Sequence, residues 1–317
     1  MELLYSSEVK SSEIDHLGHM NVRFYMERAQ RANKALMESL GLGPAACEAL
    51  GGRLAQNDSY TRYHREQFVG SMLQVRGGVL EASAEGLSLY FEVVNDAKAQ
   101  VAASFIIGVS LCDRATRARL PLPPEAVAKA AAKTIEAPEH GQPRTVDLSA
   151  PRLDLRFEDL AERLGDDHAD PMSRRMQRVI EAADCDEFGF LADSQDLMFG
   201  NLRMPQPPQE GEGEPKWGPM TFTSDEGHRF GWASMETRAV RVSQPRMGDA
   251  LCSIGAEIGL YGKVRHSRRW IFNTTTGQLV SLNDNVSIAL DLDARRSIEI
   301  PTKVRSQLER RHFPEFA

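Results

Sequence analysis

A stretch near residue 70 of this chain returns near residue 248. Such a duplication limits the architecture more firmly than local propensities can, because repeated elements fold as repeated units. The first copy reads Phe68-Val-Gly-Ser-Met-Leu-Gln-Val-Arg-Gly-Gly-Val79, then Ser88-Leu-Tyr-Phe-Glu-Val-Val94, a turn at Asn95-Asp96, an apolar run over 100–107 and Leu120-Pro-Leu-Pro-Pro-Glu125. The second reads Arg246-Met-Gly-Asp-Ala-Leu-Cys-Ser-Ile-Gly-Ala-Glu-Ile258, then Ser267-Arg-Arg-Trp-Ile-Phe272, a turn over 274–277, an apolar run over 278–290 and Ile300-Pro-Thr302. Gly70 to Pro121 spans 51 positions and Gly248 to Pro301 spans 53, so a longer turn is expected in the second copy.

Each copy alternates short runs rich in Val, Ile, Phe and Leu with Gly, Asn and Asp turn signals, the pattern of consecutive antiparallel strands. Ahead of the first copy, Val22, Met26, Ala29, Ala32, Leu36 and Leu40 recur at spacings of three and four and Gly41 follows, predicting one long helix over 22–40 with a glycine cap. One helix packed on an antiparallel sheet is an α+β unit. The second copy offers a shorter helix over 192–202, with Asp193 or Ser194 as cap, and then a Pro- and Gly-rich stretch over 205–215 that reads as a mobile surface loop. Residues 123–133 read as an alanine-rich helix, and 157–164 as an acidic helix inside the connection. The domain reading is therefore 1–135, a connecting segment 136–172, and 173–317.

Bulk properties exclude several classes. With 38 basic and 45 acidic residues the formal charge is −7, which draws the chain toward neither nucleic acid nor an anionic membrane. No apolar run approaches the roughly 18 residues of a membrane span, and residues 1–12 lack the features of a signal peptide. Cys47, Cys112, Cys185 and Cys252 are far apart and lack zinc-ligand spacing, so reduced thiols and a cytoplasmic location are expected.

The segment Asp15-His16-Leu17-Gly18-His19-Met20-Asn21 runs straight into the long helix. A helix start leaves backbone N–H groups without partners and carries partial positive charge, so an oxygen gaining negative charge is stabilised there. Gly18 would allow a substrate or another backbone to approach closely. Asn21 reads as N-cap, and the Asp15 carboxylate stands where it can attack a carbonyl or take a proton from water. Taken singly, His16 reads as a surface histidine, His19 as a partner of a loop carbonyl and Asp15 as a turn residue. Together they make a minimal acyl-transfer site.

D-x-x-G-H-M-N opening a helix that begins Val22-Arg-Phe-Tyr25 resembles the signature of the 4-hydroxybenzoyl-CoA thioesterase family of hot-dog proteins, in which a curved antiparallel sheet wraps a central helix. The resemblance covers about residues 1–130. It implies that Asp15 is the catalytic base or nucleophile, that backbone N–H groups near Asn21 and Val22 form an oxyanion hole, and that His19 and Asn21 shape the site. It also implies an acyl-CoA substrate, with no metal and no organic cofactor. Two copies in one chain resemble a double hot-dog, an intramolecular pseudo-dimer, with a homodimer of such chains as its further assembly. In the second copy Asp186-Glu-Phe-Gly189 keeps the D-x-x-G, but Phe190 replaces the histidine and Ala192 the asparagine. One working site per chain is expected, completed by residues from the degenerate half.

Two polar patches are candidates for substrate binding. Lys263, Arg265, His266, Arg268 and Arg269 crowd one strand pair of the second copy, either as a phosphate-binding group for CoA or as a solvated strand face. In Tyr60-Thr-Arg-Tyr-His-Arg65, a period of two puts Arg62 and His64 on one face and Tyr63 and Arg65 on the other. Whichever face meets the helix brings a polar group inward. The competing functions are an acyl carrier protein thioesterase, a hot-dog acyl-CoA hydratase or dehydratase, and a non-catalytic acyl-CoA-binding module.

Overall fold

A computed structural model describes residues 1–15, 18–164, 176–191, 222–224, 227 and 229–317. His16, the expected helix over 192–202 and the loop over 205–215 lie outside the described residues. The chain forms two compact units: Met1–Leu148 with Glu236–Val240, and Ser149–Met235 with Arg241–Ala317.

The first unit is built on α1 (Arg23–Leu40), whose buried residues Tyr25, Met26, Ala29, Ala32, Leu36, Met37 and Leu40 form one face. Gly41 ends it with φ +81°, and its N–H returns to the Glu38 carbonyl. An antiparallel sheet receives that face, in the order β1 (Glu2–Glu8), β3 (Met72–Ser83), β4 (Gly86–Asn95), β5 (Gln100–Asp113) and β2 (Gly52–Tyr63). Residues Glu236–Val240 pair with β2 on its far side. Leu73, Val75, Val79, Leu89, Phe91, Phe105 and Ile107 are fully buried in the core with α1. Each such side chain contributes about 1.5–3 kcal/mol on leaving water.

The second unit orders its strands β7 (Met176–Val179), β10 (Ala250–Tyr261), β11 (Val264–Asn273) and β12 (Gln278–Asp291), with the start of β9 (Arg229–Arg241) beside β12. Its strands start at Ala250, Val264 and Gln278 where those of the first unit start at Met72, Gly86 and Gln100, always 178 positions apart. The closing helices α3 (Pro124–Ala131) and α5 (Thr302–Glu309) keep the same separation, with Pro123 and Pro301 as their N-caps. Pro301 therefore corresponds to Pro123 rather than Pro121, and the two copies have equal turns; the longer turn expected in the second does not exist.

Equal backbones carry opposite polarity. The core positions Val79, Leu87, Leu89, Phe91, Phe105 and Ile107 of the first sheet become Glu257, Arg265, Ser267, Arg269, Asn283 and Asn285 in the second. On the other face Arg76, Glu92 and Ser104 become Ile254, Trp270 and Leu282. That other face is the apolar one in the second unit, covered by α4 (Phe157–Leu164) through Leu160 and Leu164, with Phe157 edge-on to Phe272 at 5.7 Å and Phe316 edge-on to Trp270 at 5.6 Å. Successive strand residues point to opposite faces, so exchanging the polar and apolar sets reverses which face is apolar without moving the backbone.

The connection does not behave as a separate segment over 136–172. Its first part, to Leu148, belongs to the first unit because side chains grip its backbone. Arg62 Nη1 donates to the carbonyls of His140 (2.7 Å) and Gln142 (2.9 Å), Arg238 Nη1 to that of Asp147 (2.7 Å), and the Glu236 carboxylate accepts N–H groups of Arg144, Thr145 and Val146 at 3.1–3.3 Å.

Leu36→Ala should cost the first unit about 2–5 kcal/mol, because the residue is fully buried between α1 and the sheet. Leu3→Ala, at a position 56% exposed, should change stability by less than about 0.5 kcal/mol. Urea unfolding measures both, and equal costs would contradict the placement of α1.

Candidate active site

The loop ahead of α1 is closed on itself before it reaches the helix. Asp15 N–H donates to the His19 carbonyl (3.0 Å), Gly18 N–H returns to the Asp15 carbonyl (3.0 Å), and Ile14 and Met20 form an antiparallel bridge. Gly18 has φ +81°, and no atom lies within 4 Å of where a Cβ would stand. The glycine thus serves the left-handed turn and leaves the space beside it open. Met20 is buried and its N–H donates to the Gln67 carbonyl (2.8 Å), which ties the loop to the turn between β2 and β3.

At the helix start, Asn21 Oδ1 accepts the Arg23 N–H (3.1 Å), the interaction of an N-cap. Asn21 N–H is already bound to the Glu13 carbonyl (2.9 Å), which removes it from an oxyanion hole. Val22 has helical backbone angles (φ −54°, ψ −30°), and its N–H has no partner among the described residues. Beneath this start, buried Arg28 donates to the carbonyls of Phe24 and Glu8 and to Glu13 Oε2 at 2.7 Å. Tyr25 donates its hydroxyl to the Arg65 carbonyl (3.1 Å), and burial raises its pKa far above the phenolic range.

The His19 ring stands among three acceptors. Its Nδ1 is 3.3 Å from the Met20 carbonyl and 3.7 Å from Asp15 Oδ2, and its Nε2 is 3.5 Å from Glu66 Oε1. Asp15, His19 and Glu66 are thereby brought together. Glu66 escapes the sequence pattern because it comes from the β2–β3 turn, 47 positions after His19. Its signal was in the repeat: the equivalents of His19 and Glu66 are Phe190 and Gln244, so both change together.

The second unit keeps the loop and loses the cluster. Asp186 N–H donates to the Phe190 carbonyl (2.8 Å), Gly189 N–H to the Asp186 carbonyl (3.0 Å), and Gly189 has φ +75°. Asp186 Oδ1 accepts the N–H groups of Phe188 (3.0 Å) and Phe190 (3.1 Å), and the Arg246 guanidinium lies 4.3 Å from the centre of the Phe190 ring. Ala192 lies outside the described residues.

The two patches expected to bind substrate are built into the units instead. Arg62 and His64 share the face of β2 opposite to Tyr63, which lies edge-on to Tyr25 of α1 at 5.7 Å. They therefore point away from α1, where Arg62 holds the connection and His64 Nε2 lies 3.0 Å from Ser104 Oγ. Arg265 is buried in a two-point pair with Glu257 (2.9 and 2.6 Å). Arg268 pairs with Asp284 (2.8 and 3.1 Å) and donates to the Phe316 carbonyl (2.6 Å), while His266 lies 3.2 Å from the same carboxylate. Burial opposes ionisation of Asp284, yet the hydrogen bonds from His266 and Arg268 outweigh it and lower its pKa. Arg269 lies on the other face of β11 from Arg268 and is also engaged. Buried carboxylates have claimed these guanidinium groups, so the strand pair is no open phosphate cradle. Among the described residues, no group of three or more His, Cys, Asp or Glu is placed to hold a metal ion, and no helix is long and apolar enough to cross a membrane.

Residues 9–130 match the model of the thioesterase-like superfamily. The fold as a whole is similar to that of the 12:0-ACP thioesterase from Umbellularia californica, at 11% identity and a TM-score of 0.63 over 90% of this chain and 93% of that one. An acyl-ACP thioesterase from Bacteroides thetaiotaomicron gives 9% identity and a TM-score of 0.59 over 89% and 96%. A protein from Lactobacillus plantarum, provisionally assigned as an oleoyl thioesterase, gives 10% and 0.61 over 90% and 95%. At these identities the likeness speaks for the fold: two hot-dog units in one chain. No curated protein matches the sequence.

His64 gives the first unit a pH-dependent stability. Burial, and then the charges of Arg62 and His140, lower its pKa from 6.5 to about 4. The unfolded chain takes up a proton near pH 6.5 and the folded unit only near 4, so stability is intact above 6.5 and falls as pH drops through that window. The half-exposed ring limits the loss to on the order of 1 kcal/mol. His64→Gln should flatten the dependence of the urea midpoint on pH between 6.5 and 4, and an unchanged slope would count against a half-buried neutral ring.

Proposed function

We propose that the chain hydrolyses acyl-CoA thioesters at the Asp15 loop. In this reading Asp15 takes a proton from water as the water oxygen attacks the thioester carbonyl, or attacks that carbon itself. The carbonyl oxygen gains negative charge against the Val22 N–H at the positive end of α1. The C–S bond then breaks; where water attacked, the acyl group leaves as a carboxylic acid and the proton held by Asp15 passes to the CoA sulfur, and where Asp15 attacked, the acyl group stays on it as an anhydride that a water hydrolyses, the proton of that water going to the thiolate. Asn21 holds the helix start in place, and His19 lies beside the Asp15 carboxylate. The observation that carries the reading is the helix start itself: Val22 N–H lacks a partner among the described residues while its neighbours Asn21, Arg23, Phe24 and Tyr25 are all engaged. The match of residues 9–130 to the model of the thioesterase-like superfamily supports it.

A second reading keeps the chemistry and changes the carrier to acyl carrier protein. It is favoured by the two proteins matched over about nine-tenths of this chain whose names specify that carrier. The tied-up arginines Arg265 and Arg268 also leave the first reading without its expected phosphate partner. Parallel assays with the same acyl group on CoA and on acyl carrier protein distinguish the two by their relative kcat/KM. A soluble active site without metal or organic cofactor, and a cytoplasmic location, belong to this same proposal.

Asp15→Asn should lower thiol release by about 10²–10⁴-fold with an unchanged unfolding midpoint. Asp186→Asn should leave turnover within about twofold, because an asparagine oxygen still accepts the two N–H groups that Asp186 holds. Full activity in the Asp15 variant would remove that residue from the mechanism, and equal losses in both would make the second loop a working site.

A further inference from the structure

We infer that Glu66 is a positioning residue for His19, and so belongs to the site that Asp15 serves; the inference rests on the hydrolytic reading above. Two independent observations point to it. Geometrically, His19 is held between carboxylates from separate parts of the chain, Asp15 in its own loop and Glu66 in the β2–β3 turn, at 3.7 and 3.5 Å. The ring is largely buried, with 14% of its side chain exposed. An imidazole carries a polar nitrogen on each of two edges, so partners at both edges restrict its rotation. Met20 and Asp15 supply oxygens at Nδ1, and Glu66 is the group at Nε2.

The duplication supplies the second observation. Both units keep the same loop, with the same closing hydrogen bonds and the same left-handed glycine. Both also tie that loop to the turn before the next strand, through Met20 N–H to the Gln67 carbonyl at 2.8 Å and Leu191 N–H to the Pro245 carbonyl at 2.9 Å. If Glu66 were needed for this scaffold, its equivalent would have stayed acidic. It is Gln244, and it changed in company with His19, which became Phe190. The carboxylate persists where there is an imidazole for it to face and is gone where there is none.

Glu66 therefore orients the ring, and the ring presents a fixed edge to the carboxylate that does the chemistry. Loss of such support misplaces a reacting group by a fraction of an ångström, at a cost of about ten- to a hundred-fold in rate.

The test uses the full chain and an acyl thioester that the wild type hydrolyses. Glu66→Gln should lower kcat about tenfold or more with KM within about twofold, and Glu66→Asp should recover much of the loss. Because Glu66 acts through His19, the double variant His19→Phe with Glu66→Gln should be no slower than His19→Phe alone. Wild-type kcat in Glu66→Gln, or losses that multiply in the double variant, overturns the inference. A readout independent of turnover is the ring ¹⁵N resonances of His19, which should move in Glu66→Gln while those of the other seven histidines stay. Unmoved resonances overturn the inference even in an active enzyme. Absence of thiol release in the wild type would retire the hydrolytic reading, and the resonances would still decide whether Glu66 holds the ring.

Discussion

Everything at the site depends on α1 being pressed against the first sheet. Its apolar face, from Tyr25 to Leu40, is shut into the core with β3, β4 and β5, and the helix can therefore neither slide nor turn. The position of its first N–H groups is inherited from that packing. Glu13 accepts the Asn21 N–H through its backbone and pairs with buried Arg28 through its side chain, so the loop is fastened to the same helix whose start it caps. An N–H group fixed in this way costs no reorganisation when charge develops beside it, which is the economy an oxyanion site requires.

The same strand pattern in the second unit carries a different distribution of side chains. Glu257, Arg265, Ser267 and Asn283 occupy positions where the first sheet has Val79, Leu87, Leu89 and Phe105. Glu257, Arg265 and Ser267 are nonetheless buried, the first two as an ion pair that satisfies both charges. An apolar layer lies on the other side, under α4 and the C-terminal residues Phe313 and Phe316. The loop around Asp186 survives as a turn whose carboxylate is occupied by Phe188 and Phe190 N–H groups. Duplication thus preserved the local hydrogen bonds and let the faces and the chemistry diverge.

Much of this was legible in the sequence. The repeat, the span of α1 with its Gly41 cap, the short helix at Phe157–Leu164 and the loss of the histidine in the second copy all follow from periodicity and alignment. What escaped depends on three-dimensional pairing. Arg265 and Arg268 read as free cations because Glu257 and Asp284 lie on neighbouring strands, at separations that pattern does not reveal. Arg62 and His64 were assigned to the site because period two gives the faces of a strand but not which one meets the helix; Tyr63 beside Tyr25 decides it. Glu66 was overlooked because only the closing of the β2–β3 turn brings it to His19. The left-handed backbone angle that Gly18 serves was likewise not visible in the pattern.

The central claim is that this chain cleaves thioesters. Its most direct test is steady-state release of free thiol by the purified wild-type chain, from acyl groups of varied length, aromaticity and charge carried on CoA and on acyl carrier protein. Multiple turnovers on at least one of these substrates, without added metal or cofactor, are the predicted result. No release from any member of the set, by protein shown to be folded, would contradict the account.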